Sequence, residues 1–272
     1  MNKTVVITGA AGVLCGVIAE DFARRGANVA LLDLNGDAAR QKAEGLTAGG
    51  FVAGGFAADV LSKESLESAL ERVRARFGEC DVLINGAGGN HPSATTDAEF
   101  YSPEKEESAK SFFDLTEKGV DFVFDLNFKG TFLTTQVFAR GMAERGKGNI
   151  INISSMNAYK PLTKIPAYSA AKAAVSNFTQ WLAVHFAKSG IRVNAIAPGF
   201  FVTNQNKGLL YGENGQPTAR ADKILRNTPM GRFGEPEELL GAVRFLTDDG
   251  ESGFITGIVL PIDGGFSAYS GV

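Results

Sequence analysis

The 272-residue sequence predicts a doubly wound α/β fold, in which a seven-stranded parallel sheet has helices on both faces. Short segments rich in β-branched residues alternate with longer segments whose apolar residues recur at helical spacing. Most of the short segments are continuously apolar, which is typical of parallel strands buried on both faces. No linker, repeat or low-complexity segment breaks this order, so we expect residues 1–272 to form a single domain.

The first elements are a strand, a glycine turn and a helix. Residues 4–8 form an apolar, β-branched strand that ends at Gly9. Residues 13–25 form a helix, because Val17 and Phe22 lie at helical spacing and Gly26 is a stop signal. The later strands and helices follow the same two patterns. Strands are expected at 28–33, 51–57, 81–84, 149–153, 191–196 and 257–260, and helices at 37–48, 62–77, 120–144, 167–188 and 236–246.

Two long stretches, residues 88–116 and 200–230, lack a clear period. Loops of this length inside a compact domain are usually functional. Both stretches follow predicted strands, and ligands of doubly wound sheets bind beyond the carboxyl ends of the strands. We therefore expect both stretches to act as substrate loops.

Composition excludes several classes of function. The chain has 27 Lys and Arg against 30 Asp and Glu, a net charge of −3, without a basic stripe for nucleic-acid phosphates. No apolar run approaches the ~18 residues of a membrane span, and the N-terminus leads directly into a strand. Cys15 and Cys80 form no disulfide framework or metal-ligand cluster. We therefore expect a cytoplasmic protein with no metal, no membrane association and no nucleic-acid partner.

A glycine-rich turn, TGAAGVLCG at residues 8–16, joins the first strand to the first helix. Small residues let the amino end of a helix approach a pyrophosphate, which free amide groups and the helix dipole then bind. An ordinary tight turn is the alternative, because strand-to-helix turns favour glycine in any case. The position of the turn favours a dinucleotide site in a Rossmann-type fold.

Carboxylates after the second and third strands extend this hypothesis. Asp33 would accept hydrogen bonds from the adenosine ribose and repel a 2′-phosphate, which favours NAD over NADP. An ordinary loop aspartate is the alternative. Asp59 would contact the adenine edge or, equally, cap a helix. Residues 85–88, Asn-Gly-Ala-Gly, would let the backbone pass under the adenosine half of the cofactor.

Tyr168 and Lys172 are four residues apart at the start of a predicted helix, so they share one face. An ammonium ~4 Å from a phenol would stabilise the phenolate by ~4 kcal/mol and lower the phenol pKa by about three units. Tyr168 would then exchange a proton with an alcohol or carbonyl. Ser155 would hold the substrate oxygen, and Asn127 a water between Lys172 and solvent. A lone Tyr–Lys pair is common on helix surfaces, but the complete ordered set favours catalysis.

These motifs resemble the short-chain dehydrogenase/reductase family over essentially the whole chain. The resemblance rests on TGAAG, NGAG, DLNFKG, NISS, YSAAK, TPMGRFGEPEEL and DGGF, in that order. It implies reversible hydride transfer and a catalytic tetrad of Asn127, Ser155, Tyr168 and Lys172. The cofactor-binding residues that we expect are Gly9, Gly12, Val13, Leu14, Asp33, Asp59, Val60, Asn85, Gly86, Ala87, Tyr168, Lys172, Pro198, Gly199 and Thr203.

The turn departs from the family pattern TGxxxGxG, because Val13 and Cys15 stand at the two later glycine positions and Gly16 follows them. We expect the turn to bind pyrophosphate by a modified path. We also expect Cys15 to pack against the sheet rather than to act as a reactive thiol.

Longer segments, among them INGAGGNHPSATTD, FVFDLNFKGTF and NAIAPGFFVTNQN, resemble the D-mannonate oxidoreductase branch of the family. The resemblance implies that D-fructuronate is reduced to D-mannonate. Such a sugar acid needs many hydrogen-bond partners and a cation or amide group for its carboxylate. The expected substrate contacts are Asn90, His91, Ser155, Asn157 and Lys164, and the loops also carry Lys160, Asn204, Gln205, Asn206 and Lys207.

Alternatives stay open at each level. His91 can cap a turn, and Lys164 can be a solvated surface charge. The enzyme can be a gluconate dehydrogenase, or another polyol or sugar-acid dehydrogenase of the same family. A catalytically silent protein that senses dinucleotides is the alternative outside enzymes, although such a protein has no need of the complete tetrad.

The predicted helices 120–144 and 167–188 are apolar over more of their circumference than one sheet face needs. Phe178, Trp181 and Phe186 are examples. Such faces usually pack on a partner subunit. We therefore expect a homo-oligomer, and the family resemblance implies a tetramer.

Overall fold

The computed structural model describes residues 3–104, 109–203, 207–212 and 215–271. Its centre is a sheet of seven strands that pair in parallel in the order β3-β2-β1-β4-β5-β6-β7. The strands are β1 (Thr4–Thr8), β2 (Asn28–Asp33), β3 (Ala53–Ala57), β4 (Val82–Asn85), β5 (Gly148–Ile153), β6 (Ile191–Pro198) and β7 (Val259–Ile262). The predicted seven-stranded parallel sheet is confirmed. The strand order reverses between β1 and β4, which creates a crevice at their carboxyl ends.

Helices cover both faces of the sheet. Along β1, Val5 and Ile7 pack in one buried cluster and Val6 packs in the other. The first cluster includes residues of α1 (Val13–Arg24), α2 (Gly36–Ala48) and α9 (Leu240–Thr247). The second includes residues of α3 (Lys63–Phe77), α5 (Gly130–Arg145) and α6 (Pro166–Phe186). The apolar strands are therefore buried on both sides, as their composition predicts.

The helix predicted at 120–144 contains an irregular turn. It begins as α4 (Glu117–Phe124), continues as a π-helical turn at Asp125–Lys129, and then becomes α5. A π turn widens the helix by one residue and changes the direction in which the following side chains point. The turn contains Asn127, one of the predicted tetrad residues.

The described part of the stretch 200–230 contains helices that its lack of periodicity does not predict. It contains the short helix α7 (Lys207–Leu210) and the amphipathic helix α8 (Ala219–Arg226), which begins at a Thr218 cap. A further short helix, α10 (Asp249–Ser252), precedes β7. The last strand lies two residues later than predicted and includes Pro261, which is exposed at the edge of the sheet.

The stretch 88–116 is tied to neighbouring loops. The Lys164 ammonium donates to the carbonyl of Asp97 at 2.6 Å, and the amide of Thr96 donates to the carbonyl of Lys164 at 2.9 Å. Glu99 forms an ion pair with Lys223 on α8. These contacts join the two predicted substrate loops to each other and to the segment between β5 and α6.

The helices within the described ranges include none that is long and apolar enough to cross a membrane. Within the same ranges, no group of three or more His, Cys, Asp or Glu residues could hold a metal ion.

Candidate active site

The glycine turn between β1 and α1 is built for close approach. Gly9 has a φ of +65°, and a Cβ there would lie 2.9 Å from the Cα of Ala87. Gly12 is the N-cap of α1, so no side chain satisfies the first amide groups of the helix, and no acidic residue lies in its first turn. Val13 and Leu14 are the first two residues of that turn. An anion would find free amides and the positive end of the helix dipole here.

Asp33, at the end of β2, supports the glycine turn. Its Oδ2 accepts a hydrogen bond from the amide of Ala11 at 3.0 Å, and its Oδ1 accepts one from the amide of Asn35 at 3.0 Å. A carboxylate has about four lone-pair sites, so these two bonds leave acceptor capacity. The role predicted for Asp33 toward a ribose stays a prediction.

Asp59 and Val60 are placed by the loop after β3. Asp59 accepts from the amide of Leu61 at 2.9 Å, whereas the N-cap of α3 is Ser62. The alternative of a helix cap at Asp59 is therefore wrong. Val60 is buried, and a Cβ on Gly130 would lie 2.8 Å from its Cγ2, so Val60 packs on α5.

Asn85 is committed to a buried polar network. Its Nδ2 donates to Oγ1 of Thr135 at 2.9 Å and to Oδ1 of Asn152 at 2.8 Å. Asn152 in turn donates to Thr179 on α6 at 2.9 Å. The Oδ1 of Asn85 has no hydrogen-bond partner among the described residues. The Nδ2 group of Asn85 thus joins β4 to its neighbours, and the role of Asn85 toward a cofactor stays a prediction.

Gly86 and Ala87 lie directly on the glycine turn. Their amides donate to Oγ1 of Thr8 at 3.0 and 3.2 Å. A Cβ on Gly86 would lie 2.1 Å from Sγ of Cys15. Cys15 is 5% exposed, and burial raises the pKa of its thiol to about 11. The prediction that Cys15 packs against the sheet is confirmed, and a thiol with this pKa is a poor nucleophile at neutral pH.

Asn127 holds the segment that follows β4. Its Oδ1 accepts from the amide of Gly89 at 3.2 Å, and its Nδ2 donates to the carbonyls of Gly89 at 2.7 Å and Val123 at 2.8 Å. Both N–H donors of the Asn127 side chain are therefore used by main-chain carbonyls. The water predicted to bind Asn127 could only donate a hydrogen bond to Oδ1. A Cβ on Gly88 would lie 2.7 Å from this Oδ1 and 3.1 Å from Nζ of Lys172.

Ser155 and Tyr168 meet at the carboxyl end of β5. The Ser155 hydroxyl interacts with the Tyr168 phenol, and Ser155 Oγ accepts a hydrogen bond from the amide of Asn157 at 3.2 Å. Burial raises the pKa of the Tyr168 phenol above its usual value, and the bond to Ser155 opposes this increase only in part. The prediction that the phenol pKa is lowered is wrong for this structure, because desolvation is the larger effect.

Lys172 is buried beside this pair. Its Nζ donates to the carbonyl of Ile153 at 2.8 Å and lies 5.7 Å from the ring centroid of Tyr168. Burial lowers the pKa of the Lys172 ammonium to about 8. The four-residue spacing does bring the two side chains together, but the ammonium is held by a main-chain oxygen.

The turn after β6 closes the other side of the crevice. The amide of Gly199 donates to the carbonyl of Ile262 at 2.9 Å, and a Cβ on Gly199 would lie 2.6 Å from the Cα of Asp263. Pro198 is the last residue of β6, and Thr203 is half-buried. The predicted loop residues Asn204, Gln205 and Asn206 lie outside the described residues. Lys207 begins α7 and is exposed.

The predicted substrate residues are mostly engaged within their own loops. Asn90 donates to Oγ1 of Thr95 at 2.8 Å, and Nδ1 of His91 accepts from the amide of Ser93 at 3.1 Å, so His91 does cap a turn. Lys164 holds the carbonyl of Asp97, as described above. Asn157 is 5% exposed, and its Oδ1 has no hydrogen-bond partner within the described part of the chain. The roles of these residues toward a substrate stay predictions.

Two further lysines have contacts at the site: Lys160 was named among the loop residues from the sequence, whereas Lys42 was not predicted. Lys42, on α2, donates from Nζ to the carbonyl of Gly12 at 2.9 Å. Lys160, after Ser155, donates to the carbonyl of Tyr269 in the C-terminal segment. The sequence gives one indication of this contact of Lys42: a glycine, Gly16, stands inside the predicted first helix, at the place where the ammonium needs space.

Comparisons with known proteins agree with this geometry. A family model of the short-chain dehydrogenases, adh_short_C2, described as enoyl-(acyl carrier protein) reductase, matches residues 9–267. An uncharacterised oxidoreductase of Haemophilus influenzae is 58% identical over 271 residues, which cover 100% of this chain and 95% of that protein.

The chain belongs to the short-chain dehydrogenase/reductase family. Two solved structures extend the comparison for this oxidoreductase. The first, from Haemophilus influenza with bound NAD, is provisionally assigned as a D-mannonate oxidoreductase. It is 58% identical, has a TM-score of 0.96, and covers 100% of this chain and 97% of its own. The second is a gluconate 5-dehydrogenase from Burkholderia cenocepacia in complex with NADP and tartrate. It is 30% identical, has a TM-score of 0.84, and covers 98% of this short-chain dehydrogenase/reductase and 96% of its own chain.

Proposed function

We propose that this enzyme interconverts D-fructuronate and D-mannonate with NAD as its cofactor. The observation that carries the proposal is the joint placement of Ser155, Tyr168 and buried Lys172 beside Gly88, at the carboxyl ends of β4 and β5. This arrangement suits proton exchange at a carbon–oxygen bond. The similarity to the provisionally assigned D-mannonate oxidoreductase supports the choice of substrate.

The residues at the crevice fit a dinucleotide. Gly9, Gly12 and Gly88 line the crevice where a side chain would not fit. A Cβ added to each of them would lie 2.9, 3.1 and 2.7 Å, respectively, from the nearest atom. The uncapped amino end of α1 suits a pyrophosphate, and Asp33 after β2 suits ribose hydroxyls rather than a 2′-phosphate. When bound, NAD or NADH accepts or supplies the hydride. Val13, Leu14, Asp59, Val60, Asn85, Gly86, Ala87, Pro198, Gly199 and Thr203 are the other residues that we assign to this site.

Tyr168 transfers the proton in the proposed mechanism. During reduction the phenol donates its proton to the oxygen of the former carbonyl, and during oxidation the phenolate accepts the proton of the alcohol. Ser155 hydrogen-bonds the same oxygen and orients it. Lys172 holds a positive charge below the phenol ring while it is protonated, and Asn127 fixes the Gly88–Gly89 backbone against which these groups stand.

The loops above the crevice suit a charged, hydroxylated substrate. They carry Lys160 and Lys164, whose ammonium groups each donate to a main-chain carbonyl and keep further donors for a carboxylate ligand. Asn157 has a buried oxygen that lacks a partner among the described residues, so a substrate hydroxyl would satisfy it. We assign the substrate contacts to Asn90, His91, Ser155, Asn157 and Lys164.

A gluconate 5-dehydrogenase activity is the second candidate, because that enzyme of Burkholderia cenocepacia has the same fold over nearly the whole chain. A substrate panel separates the two. Purified enzyme is assayed with D-fructuronate, 5-keto-D-gluconate and uncharged D-fructose, each with NADH and with NADPH. We expect kcat/KM to be at least tenfold higher for D-fructuronate with NADH than for any other combination. A preference for 5-keto-D-gluconate would support the second candidate, and no turnover of any sugar acid would contradict both.

We also propose that residues 1–272 act as a single unit within a homotetramer. Aromatic rings on α5 and α6 pack against one another and form an apolar surface. Phe132 on α5 and Trp181 on α6 are 40% and 55% exposed there. Val184, also on α6, is 80% exposed. Sedimentation at micromolar concentration should give four chains for the wild-type protein and fewer for Val184→Glu, because a charge opposes burial of this face. A monomeric wild-type protein would contradict the proposal.

A further inference from the structure

Lys42 forms a contact that links α2 to the glycine turn. Its Nζ donates to the carbonyl of Gly12 at 2.9 Å, and the same carbonyl accepts from the amide of Gly16 at 3.0 Å. Gly12 is the N-cap of α1, so this carbonyl begins the helix whose amino end faces the crevice. Lys42 therefore fixes the residue on which the direction of the first helical turn depends.

Gly16 makes this contact possible. A Cβ at Gly16 would lie 2.2 Å from Nζ and 3.4 Å from Cε of Lys42. Glycine inside a helix is less favourable than alanine, so a glycine here needs a reason. The end of the lysine side chain occupies the volume that an alanine methyl group would take, and this accounts for the glycine.

The charge of Lys42 is also informative. A cation near the amino end of a helix is unfavourable, because the helix dipole is positive there. Burial lowers the pKa of the Lys42 ammonium, and the electrostatic effects of Cys15, Asp33 and Glu20 oppose this decrease only in part. A cation in this place becomes favourable when an anion binds to the same helix end.

The contact of Lys42 with Gly12 also accounts for the glycine turn's departure from the family pattern. Val13 and Cys15 stand where the family pattern has glycines, and Cys15 fills the space against Gly86. The turn is held from outside by the Asp33 carboxylate at Ala11 and by Lys42 at Gly12. Two side chains thus fix a backbone path that glycine flexibility alone would leave variable.

We propose that Lys42, for which Gly16 leaves space, is a positioning residue for the dinucleotide: it holds the first turn of α1 in the path that receives the pyrophosphate. The inference rests on the proposed use of NAD. It assigns the effect to binding rather than to the chemical step, because the hydrogen bond of Lys42 goes to the turn.

The test measures the dissociation constant for NAD⁺ by calorimetry at 25 °C, with thermal unfolding of each variant beside it. Lys42→Met removes the donor and keeps the length of the side chain. Gly16→Ala displaces the ammonium, which is the flexible end of a side chain. We expect each variant to raise the dissociation constant about tenfold, and to raise KM for NAD⁺ more than it lowers kcat. The double variant should also raise the dissociation constant only about tenfold, because both changes remove the same contact.

Matched controls are Lys188→Met, which changes an exposed lysine after α6, and Gly45→Ala, which changes a helical glycine with no atom within 4 Å of the added Cβ. Both should bind NAD⁺ as the wild type does. A purely structural brace between α1 and α2 would lower the melting temperature without changing the dissociation constant at 25 °C. That result, or a hundredfold effect in the double variant, would overturn the inference. Failure of the wild-type protein to bind NAD⁺ would instead overturn the proposed function, and the inference with it.

Discussion

The Lys172 ammonium lies 5.7 Å from the ring centroid of Tyr168, and its hydrogen bond goes to the carbonyl of Ile153 rather than to the phenol. The phenol hydroxyl instead meets Ser155. The cation thus stands near the ring, where it interacts with the aromatic electrons, while Ser155 is the side chain that acts on the phenol hydroxyl. This division of partners leads to distinct predictions for each side chain.

Replacing Tyr168 by Phe should lower kcat at least a thousandfold in both directions. The substitution removes the hydroxyl that exchanges the proton but keeps the ring beside Lys172. Titration of NADH fluorescence should show that cofactor binding weakens by less than threefold. A variant that retains most of its kcat would show that another group transfers the proton.

The two directions of the reaction should differ in their pH dependence. Burial raises the pKa of Tyr168, so the phenol is neutral at pH 7 and ready to donate a proton. Reduction should therefore be nearly constant from pH 6 to about 7 and fall from about pH 8, where the Lys172 ammonium loses the charge that it holds beside the ring. Oxidation needs the phenolate, so its rate should rise with pH through this range. An oxidation rate that already reaches a plateau below pH 8 would show that the phenol pKa is lowered.

Replacing Lys172 by Met should abolish efficient turnover and stabilise the fold at pH 7. The native pKa of this lysine is about 8 against the ordinary 10.5, so keeping it charged in the folded state costs ~3 kcal/mol. Loss of the bond to Ile153 returns ~1 kcal/mol of that gain. Urea unfolding should therefore show a net gain of ~2 kcal/mol at pH 7.

The stability gained by Lys172→Met should depend on pH. Between pH 8 and 10.5 the unfolded chain binds the Lys172 proton and the folded chain does not, so the wild type becomes more stable as pH rises. The advantage of Lys172→Met should consequently shrink across this window. An advantage that is independent of pH would mean that packing, rather than charge, is responsible.

Replacing Gly88 by Ala should damage the site without unfolding the protein. The added Cβ would lie 2.7 Å from Oδ1 of Asn127 and 3.1 Å from Nζ of Lys172, so both groups must move. We expect kcat/KM to fall at least tenfold in steady-state assays. The control is Gly45→Ala on α2, where nothing lies within 4 Å, and this variant should be ~0.5–1 kcal/mol more stable with wild-type kinetics. Equal kinetics for the two variants would contradict the assignment.

The strand and helix order could be predicted because most of its signals are local. The strands are runs of apolar residues, and the helices carry a clear period. The π turn at Asp125–Lys129 could not be predicted, since the apolar pattern continues through it. The last strand is predicted at 257–260, whereas β7 spans Val259–Ile262 and includes Pro261. At an edge of the sheet a proline needs no partner for its missing N–H.

The residues of the site could be located from their motifs, but their partners could not. Spacing brings Tyr168 and Lys172 onto one helix face, yet only the packed structure shows how strongly burial acts on each. Asp33 lies at the predicted strand end, but its bond to Ala11 depends on the folded turn. Lys42 reaches the turn from thirty residues away, and that contact depends on how α2 lies against α1.

Pro261 has a consequence for how the protein behaves at high concentration. It lies exposed on β7, the outermost strand on its side of the sheet. A second chain that tried to extend the sheet there would meet a position without an N–H and could not build an unbroken ladder. This border is therefore a poor template for fibril growth.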